Sequence, residues 1–171
     1  MNRMNVALLT AGIALALAGT AQAATRSSNF VVSANVVDNC IIGATGLNLG
    51  TFDGTNNLTG SSTITVRCSN GTDYTVDLNT GASGSYANRH LVNPSSTSGL
   101  PLVYNLYTSN TYGTIWGDTT AGTGRASGLG AGMAVGNAIT HTVYGQLLAS
   151  SNTGAIDTGT YNDTITATIT Y

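Results

Sequence analysis

Two cysteines, two histidines and seven aspartates are the principal candidate metal ligands and general bases in this 171-residue chain, which has neither glutamate nor lysine. Asp73 and Asp77 are four apart, so on an extended segment both would point to one face, an arrangement that glycoside hydrolysis or Ca²⁺ binding could use. Their neighbours favour a plainer role. Asp73 follows the turn signal Asn70-Gly71, and Asp77 falls on the polar side of a strand whose apolar set is Tyr74, Val76 and Leu78. His90 and His141 lie outside any Gly-x-Ser-x-Gly context, and surface or hydrogen-bonded roles suit them better than a catalytic triad. The run from Gly122 to Gly130 has neither dinucleotide-binding spacing nor the lysine of a phosphate loop, and reads as a flexible loop. Trp116 and the scattered tyrosines could form a sugar platform, but packing accounts for them more simply. No catalytic, cofactor-binding or metal-binding residue is predicted, and the chain is not read as an enzyme.

What the cysteines do depends on compartment. Arg3 is the only charge before an apolar stretch from Val6 to Ala18, and Ala21-Gln22-Ala23 has the small-x-small form of a cleavage site. Residues 1–23 therefore read as a secretory signal peptide, cleaved after Ala23, with no membrane span in the chain that remains. Cleavage leaves four Arg against seven Asp, a formal charge of −3. In an oxidising compartment, with no Cys-x-x-Cys motif, Cys40 and Cys68 are expected to form a disulfide.

The elements that must carry these residues are strands. Charged residues are only 7% of the chain while hydrophobic ones reach 42%, which argues against both a solvated helical bundle and disorder. The balance of charge offers no footprint for nucleic acid. Alternation of period two marks Phe30, Val32, Ala34 and Val36; Leu47, Leu49 and Thr51; Ile64, Val66 and Cys68; Tyr74, Val76 and Leu78; Leu102, Tyr104 and Leu106; and Val143, Gly145 and Leu147. A last run sets Tyr161, Ile165, Ala167, Ile169 and Tyr171 against threonines. Turn-rich stretches are expected at 54–62, 79–86, 93–99 and 119–132. About seven short strands at this spacing predict a single β-sandwich.

In their order and spacing, several segments resemble the spore coat protein U family, which includes major subunits of archaic chaperone–usher pili. These are Phe30-x-Val32-x-Ala34-x-Val36 before Cys40; Ile64-Thr65-Val66-Arg67-Cys68 followed by Tyr74-Thr75-Val76-Asp77-Leu78; Tyr104-Asn105-Leu106-Tyr107; Trp116-Gly117-Asp118; Val143-Tyr144-Gly145-Gln146-Leu147; and Gly159-Thr160-Tyr161-Asn162-Asp163-Thr164 before a terminal strand.

The resemblance implies an immunoglobulin-like sandwich lacking its last strand, completed when a neighbour donates one. Residues 24–37 would be the donor segment and 38–171 the pilin-like domain. Phe30, Val32, Ala34 and Val36 would be the apolar row that enters the neighbour; on residue pattern alone they could equally be the sandwich's own first strand. Ile165, Ala167, Ile169 and Tyr171 would face the groove or a periplasmic chaperone. The implied partners are like subunits, that chaperone and an outer-membrane usher. The implied setting is the cell surface, in a pilus serving adhesion or biofilm, or in a spore or cell coat. A carbohydrate-binding adhesin module is the less favoured alternative.

Overall fold

A computed structural model describes residues 22–171, so most of the expected signal peptide lies outside the described residues. The chain divides into two units, 1–35 and 36–171. In the first, residues 22–35 form no helix or strand and are exposed throughout. Phe30 is 86% and Val32 82% exposed.

The second unit is a β-sandwich of two antiparallel sheets. Its strands are β1 (Cys40–Ala44), β2 (Leu58–Cys68), β3 (Asp73–Leu78), β4 (Arg89–Leu91), β5 (Leu102–Tyr107), β6 (Ala126–Leu129), β7 (Ile139–Leu147) and β8 (Ala167–Thr170). One sheet has the order β1-β2-β7-β5-β4, the other β6-β3-β8. The long β2–β7 ladder runs from Leu58 opposite Leu147 to Val66 opposite Ile139 and forms the spine of the larger sheet.

Alternation explains the core. Ile64, Val66 and Cys68 of β2, with Leu102, Tyr104, Leu106, Val143 and Leu147, meet Tyr74, Val76 and Leu78 of β3 across the sandwich. Trp116 lies between the layers, 1% exposed, and its indole Nε1 donates to the carbonyl of Val76 at 2.9 Å. It is a packing residue and presents no platform. The Tyr74 hydroxyl and His141 Nε2 are 2.9 Å apart, and burial lowers the imidazole's pKa, so His141 is the hydrogen-bonded histidine that the sequence suggested.

Several expected boundaries move. Residues 54–62 do not all form a turn, because β2 begins at Leu58. β6 lies inside the glycine-rich stretch read as a flexible loop. β1 starts at Cys40, where no strand was expected. Leu47, Leu49 and Thr51 form no strand, and only Ala167–Thr170 of the last alternating run is laddered. In both cases the apolar residues face inward, but residues 46–52 make no backbone–backbone hydrogen bond and residues 161–166 make only those of Asn162 with Val92 and of Thr166 with Asn79.

Cys40 and Cys68 are bonded, joining directly opposed residues of β1 and β2. The chain just before them is tied to the same end of the sandwich. The Asn39 amide donates to Ser69 Oγ at 3.2 Å, and Thr72 Oγ1 donates to Asp38 at 2.6 Å.

Candidate functional site

The two unladdered alternating segments face a common cleft. This opening, of about 1010 Å³, has a floor of core side chains from the larger sheet, including Leu58, Ile64, Leu102, Leu106, Val143 and Leu147. One wall is formed by residues 44–54, the other by residues 154–167 apart from 155, 164 and 166. Leu47, Leu49, Phe52, Ile156, Tyr161, Ile165 and Ala167 pack against the core but stay only partly buried. The floor residues other than Leu58 are buried, so the apolar surface that the cleft presents is mainly that of its partly buried walls, and a bare seam of this kind invites pairing with another strand.

Each wall is held at a few points and has unpaired backbone between them. On the first, the Thr45 amide donates to the Thr63 carbonyl at 3.0 Å. At the other end the segment closes in a local turn, where Asp53 accepts the amides of Thr55 at 2.8 Å and Asn56 at 2.9 Å, which pull its carboxyl far below the usual carboxylate range. Between Thr45 and this turn, residues 46–52 make no backbone–backbone hydrogen bond. On the second wall, Asn162 and Val92 exchange amide–carbonyl bonds of 2.8 and 3.0 Å, and the Asn79 amide donates to the Thr166 carbonyl at 3.1 Å. Ile165 between them makes no backbone–backbone bond, and β8 beyond has β3 as its one ladder partner. Unpaired amides and carbonyls on both sides of an apolar floor are what an inserted strand requires.

The second wall is also braced by side chains. Tyr104 reaches from β5 to donate its hydroxyl to Asp163 at 2.7 Å, while the other carboxylate oxygen accepts the amides of Ala82 at 2.9 Å and Thr164 at 2.8 Å. Burial and the adjacent carboxylate raise the Tyr104 pKa far above its ordinary value, keeping the phenol protonated as a donor. Behind it, Arg89 is fully buried without a carboxylate partner. Its guanidinium donates to the carbonyls of Asn79 at 2.8 Å and Trp116 at 2.7 Å, and to Asn105 Oδ1 at 2.9 Å. Desolvation lowers its pKa, though from a value so high that it remains a cation. Nothing in the sequence distinguishes this arginine from an ordinary exposed one at the start of a strand.

The remaining expected site residues separate into groups. Ile165 and Ala167 line the cleft. Ile169 packs on the core, and Tyr171 lines a shallower depression with Asp73 and Tyr74. Val36 is exposed, like Phe30 and Val32 of the first unit. Asp73 and Asp77 do not act as a pair: Asp73 is exposed, and Asp77 Oδ1 lies 3.0 Å from Arg125 Nε. That contact is ionic, for this buried oxygen receives no well-aligned hydrogen bond. Among the described residues no cluster of three potential metal ligands occurs, and no helix is long and apolar enough to cross a membrane.

The Spore Coat Protein U domain model matches residues 26–168. The chain belongs to this family. It is 36% identical to "Protein U" of Myxococcus xanthus over 183 aligned positions, spanning 97% of this chain and 96% of that protein. Its fold is similar to a solved complex of the archaic chaperone–usher Csu pili of Acinetobacter baumannii, described as the CsuC–CsuE chaperone–tip adhesion subunit pre-assembly complex. The match has a TM-score of 0.53 and 26% identity, covering 80% of this chain and 40% of the matched one. This family member thus spans about two-fifths of the solved chain. The fold is an all-β, immunoglobulin-like sandwich.

Proposed function

We propose that this protein is an exported structural subunit that polymerises head to tail, each copy lending its N-terminal segment to the cleft of the next. The observation that carries the reading is the cleft itself: an apolar floor between two walls whose facing backbones are unpaired. Residues 24–37 supply the complementary part, with Phe30, Val32, Ala34 and Val36 as one apolar row and Phe30, Val32 and Val36 exposed. Backbone bonds to both walls would provide affinity, and the alternate side chains would fill the floor.

The geometry of the sandwich favours exchange between copies over self-closure. Asp38 and Asn39 are pinned beside Cys68, whereas the part of β2 that lines the cleft is Leu58, Ser62 and Ile64, toward the other end of the strand. The segment would have to reverse direction at once to fill its own cleft. Before assembly the same cleft would be occupied by a periplasmic chaperone, a partner supported by the solved chaperone–subunit complex, and an outer-membrane usher would receive the product. Ile165 and Ala167 would then be the wall residues beside the borrowed strand. A coat built by the same exchange is the second reading, favoured by the match to the Spore Coat Protein U domain. Adhesion is the role expected of a pilus.

The test is expression of the full chain in its native host beside a form lacking residues 24–37, followed by electrophoresis without boiling. The intact chain should give a ladder of oligomers and the shortened one a single species; an undiminished ladder would refute the assignment. N-terminal sequencing of exported protein should begin at Ala24.

A further inference from the structure

We infer that Gly60 and Gly145 are positioning residues for the strand-accepting cleft, forming the seat on which its first wall rests. The inference deepens the proposed function and depends on it. The two glycines are directly opposed in the β2–β7 ladder, and Leu106 of β5 is opposed to Gly145 in turn. Together they leave a gap in the row of side chains along the inner face of the larger sheet, and residues 47–49 occupy it. A Cβ at Gly60 would come within 2.6 Å of the Asn48 carbonyl oxygen and 3.4 Å of its carbon. A Cβ at Gly145 would meet the Leu47 methyls at 2.9 and 3.0 Å and a Leu49 methyl at 3.1 Å.

Neither glycine is required by its own backbone, for neither has a positive φ. Glycine in a strand interior weakens the strand, so a pair in mid-ladder needs another reason. Close approach of another backbone is one, and here that backbone is the wall. Because residues 46–52 have no ladder of their own, their height above the sheet is set by the Thr45 bond to β2 and by this contact. Raising the segment by the thickness of a methyl group would carry its unpaired amides and carbonyls out of register with an incoming strand.

The two positions respond differently. At Gly60 the obstacle is backbone, which cannot swing aside; at Gly145 it is the ends of leucine side chains, which can. Gly60→Ala should therefore reduce the oligomer ladder of the full chain by at least about tenfold, while the Cys40–Cys68 bond still forms and the β-type circular dichroism is retained. Gly145→Ala should reduce it less, and Leu47→Ala added to Gly145→Ala should restore it toward the level of Leu47→Ala alone, a rescue that general destabilisation would not produce. Gly136→Ala, where nothing lies within 4 Å, is the control.

Assembly of Gly60→Ala within about twofold of wild type would overturn the inference. If Gly60→Ala does not accumulate folded, the Gly145→Ala pair decides: no loss, or no rescue by Leu47→Ala, overturns it equally. A wild-type ladder that does not depend on residues 24–37 would instead refute the donor reading itself.

Discussion

Replacing Phe30 with alanine tests the proposed donor row at its largest member. The ring is 86% exposed in the free chain, so nearly all of its area is available to be buried on insertion. Burying a phenylalanine is worth roughly 1.5–3 kcal/mol, and truncation in a packed site adds a cavity term that brings the loss to about 3–5 kcal/mol. At about 1.4 kcal/mol per tenfold, strand exchange should weaken by on the order of 100-fold or more. Val31 supplies the control, because it is 92% exposed in the free chain and would face away from Phe30 once the segment is inserted as a strand. Val31→Ser should change assembly by less than about threefold, within the usual range for a surface position. The assay is the temperature at which purified polymer of each full-length variant falls apart to monomer in detergent. Equal losses for Phe30→Ala and Val31→Ser would mean that the segment acts as a sticky tail with no defined facing, and the strand-exchange reasoning would fail.

Other outcomes follow from the domain itself. Arg89→Met should lower stability to chemical denaturation by about 3–5 kcal/mol, because it strands the buried oxygens of Trp116 and Asn105 and takes the donors from the Asn79 carbonyl; Arg89→Lys should rescue little, lacking the planar fork. Trp116→Ala should cost about 3–5 kcal/mol by the same measurement, as expected of a core residue that also bonds the Val76 carbonyl. Reduction of Cys40–Cys68 should cost about 3–4 kcal/mol, seen as a lower Tm in reductant. Asp53, Asp118 and Asp157 are all held below the ordinary carboxylate pKa, mainly by neighbouring hydroxyl and amide donors. The unfolded chain therefore binds more protons, so Tm should be flat above the unfolded carboxylate range and fall as pH drops through and below it. Asp157→Asn should reduce that dependence.

The strands most legible in the sequence are β3, β5 and β7, where alternation coincides with a paired backbone on at least one side. Alternation reports which face is buried and says nothing about whether a neighbouring strand is present. That is why Leu47-Leu49 and Tyr161-Ile165 read as strands: their side chains do face the core, but their backbones border the cleft. The two misreadings mark its walls. β6 was hidden because Ala126-Ser127-Gly128-Leu129 is too small and polar to alternate visibly, with Tyr74 lying over Gly128 in place of a side chain. Arg89 was illegible for a related reason, since its partners are carbonyls and an amide and no nearby acid advertises it. The seat at Gly60 and Gly145 could be read only once register was known.

The sulfur bridge between opposed residues of β1 and β2 has a mechanical consequence for a subunit pulled from outside. Traction arriving along the arm ahead of Val37 meets Cys40 first and is shunted covalently to Cys68, at the end of the strand with the longest ladder in the molecule. The short first strand is thus bypassed by a covalent link, and load entering at Cys40 passes to a strand held to β7 by nine opposed pairs.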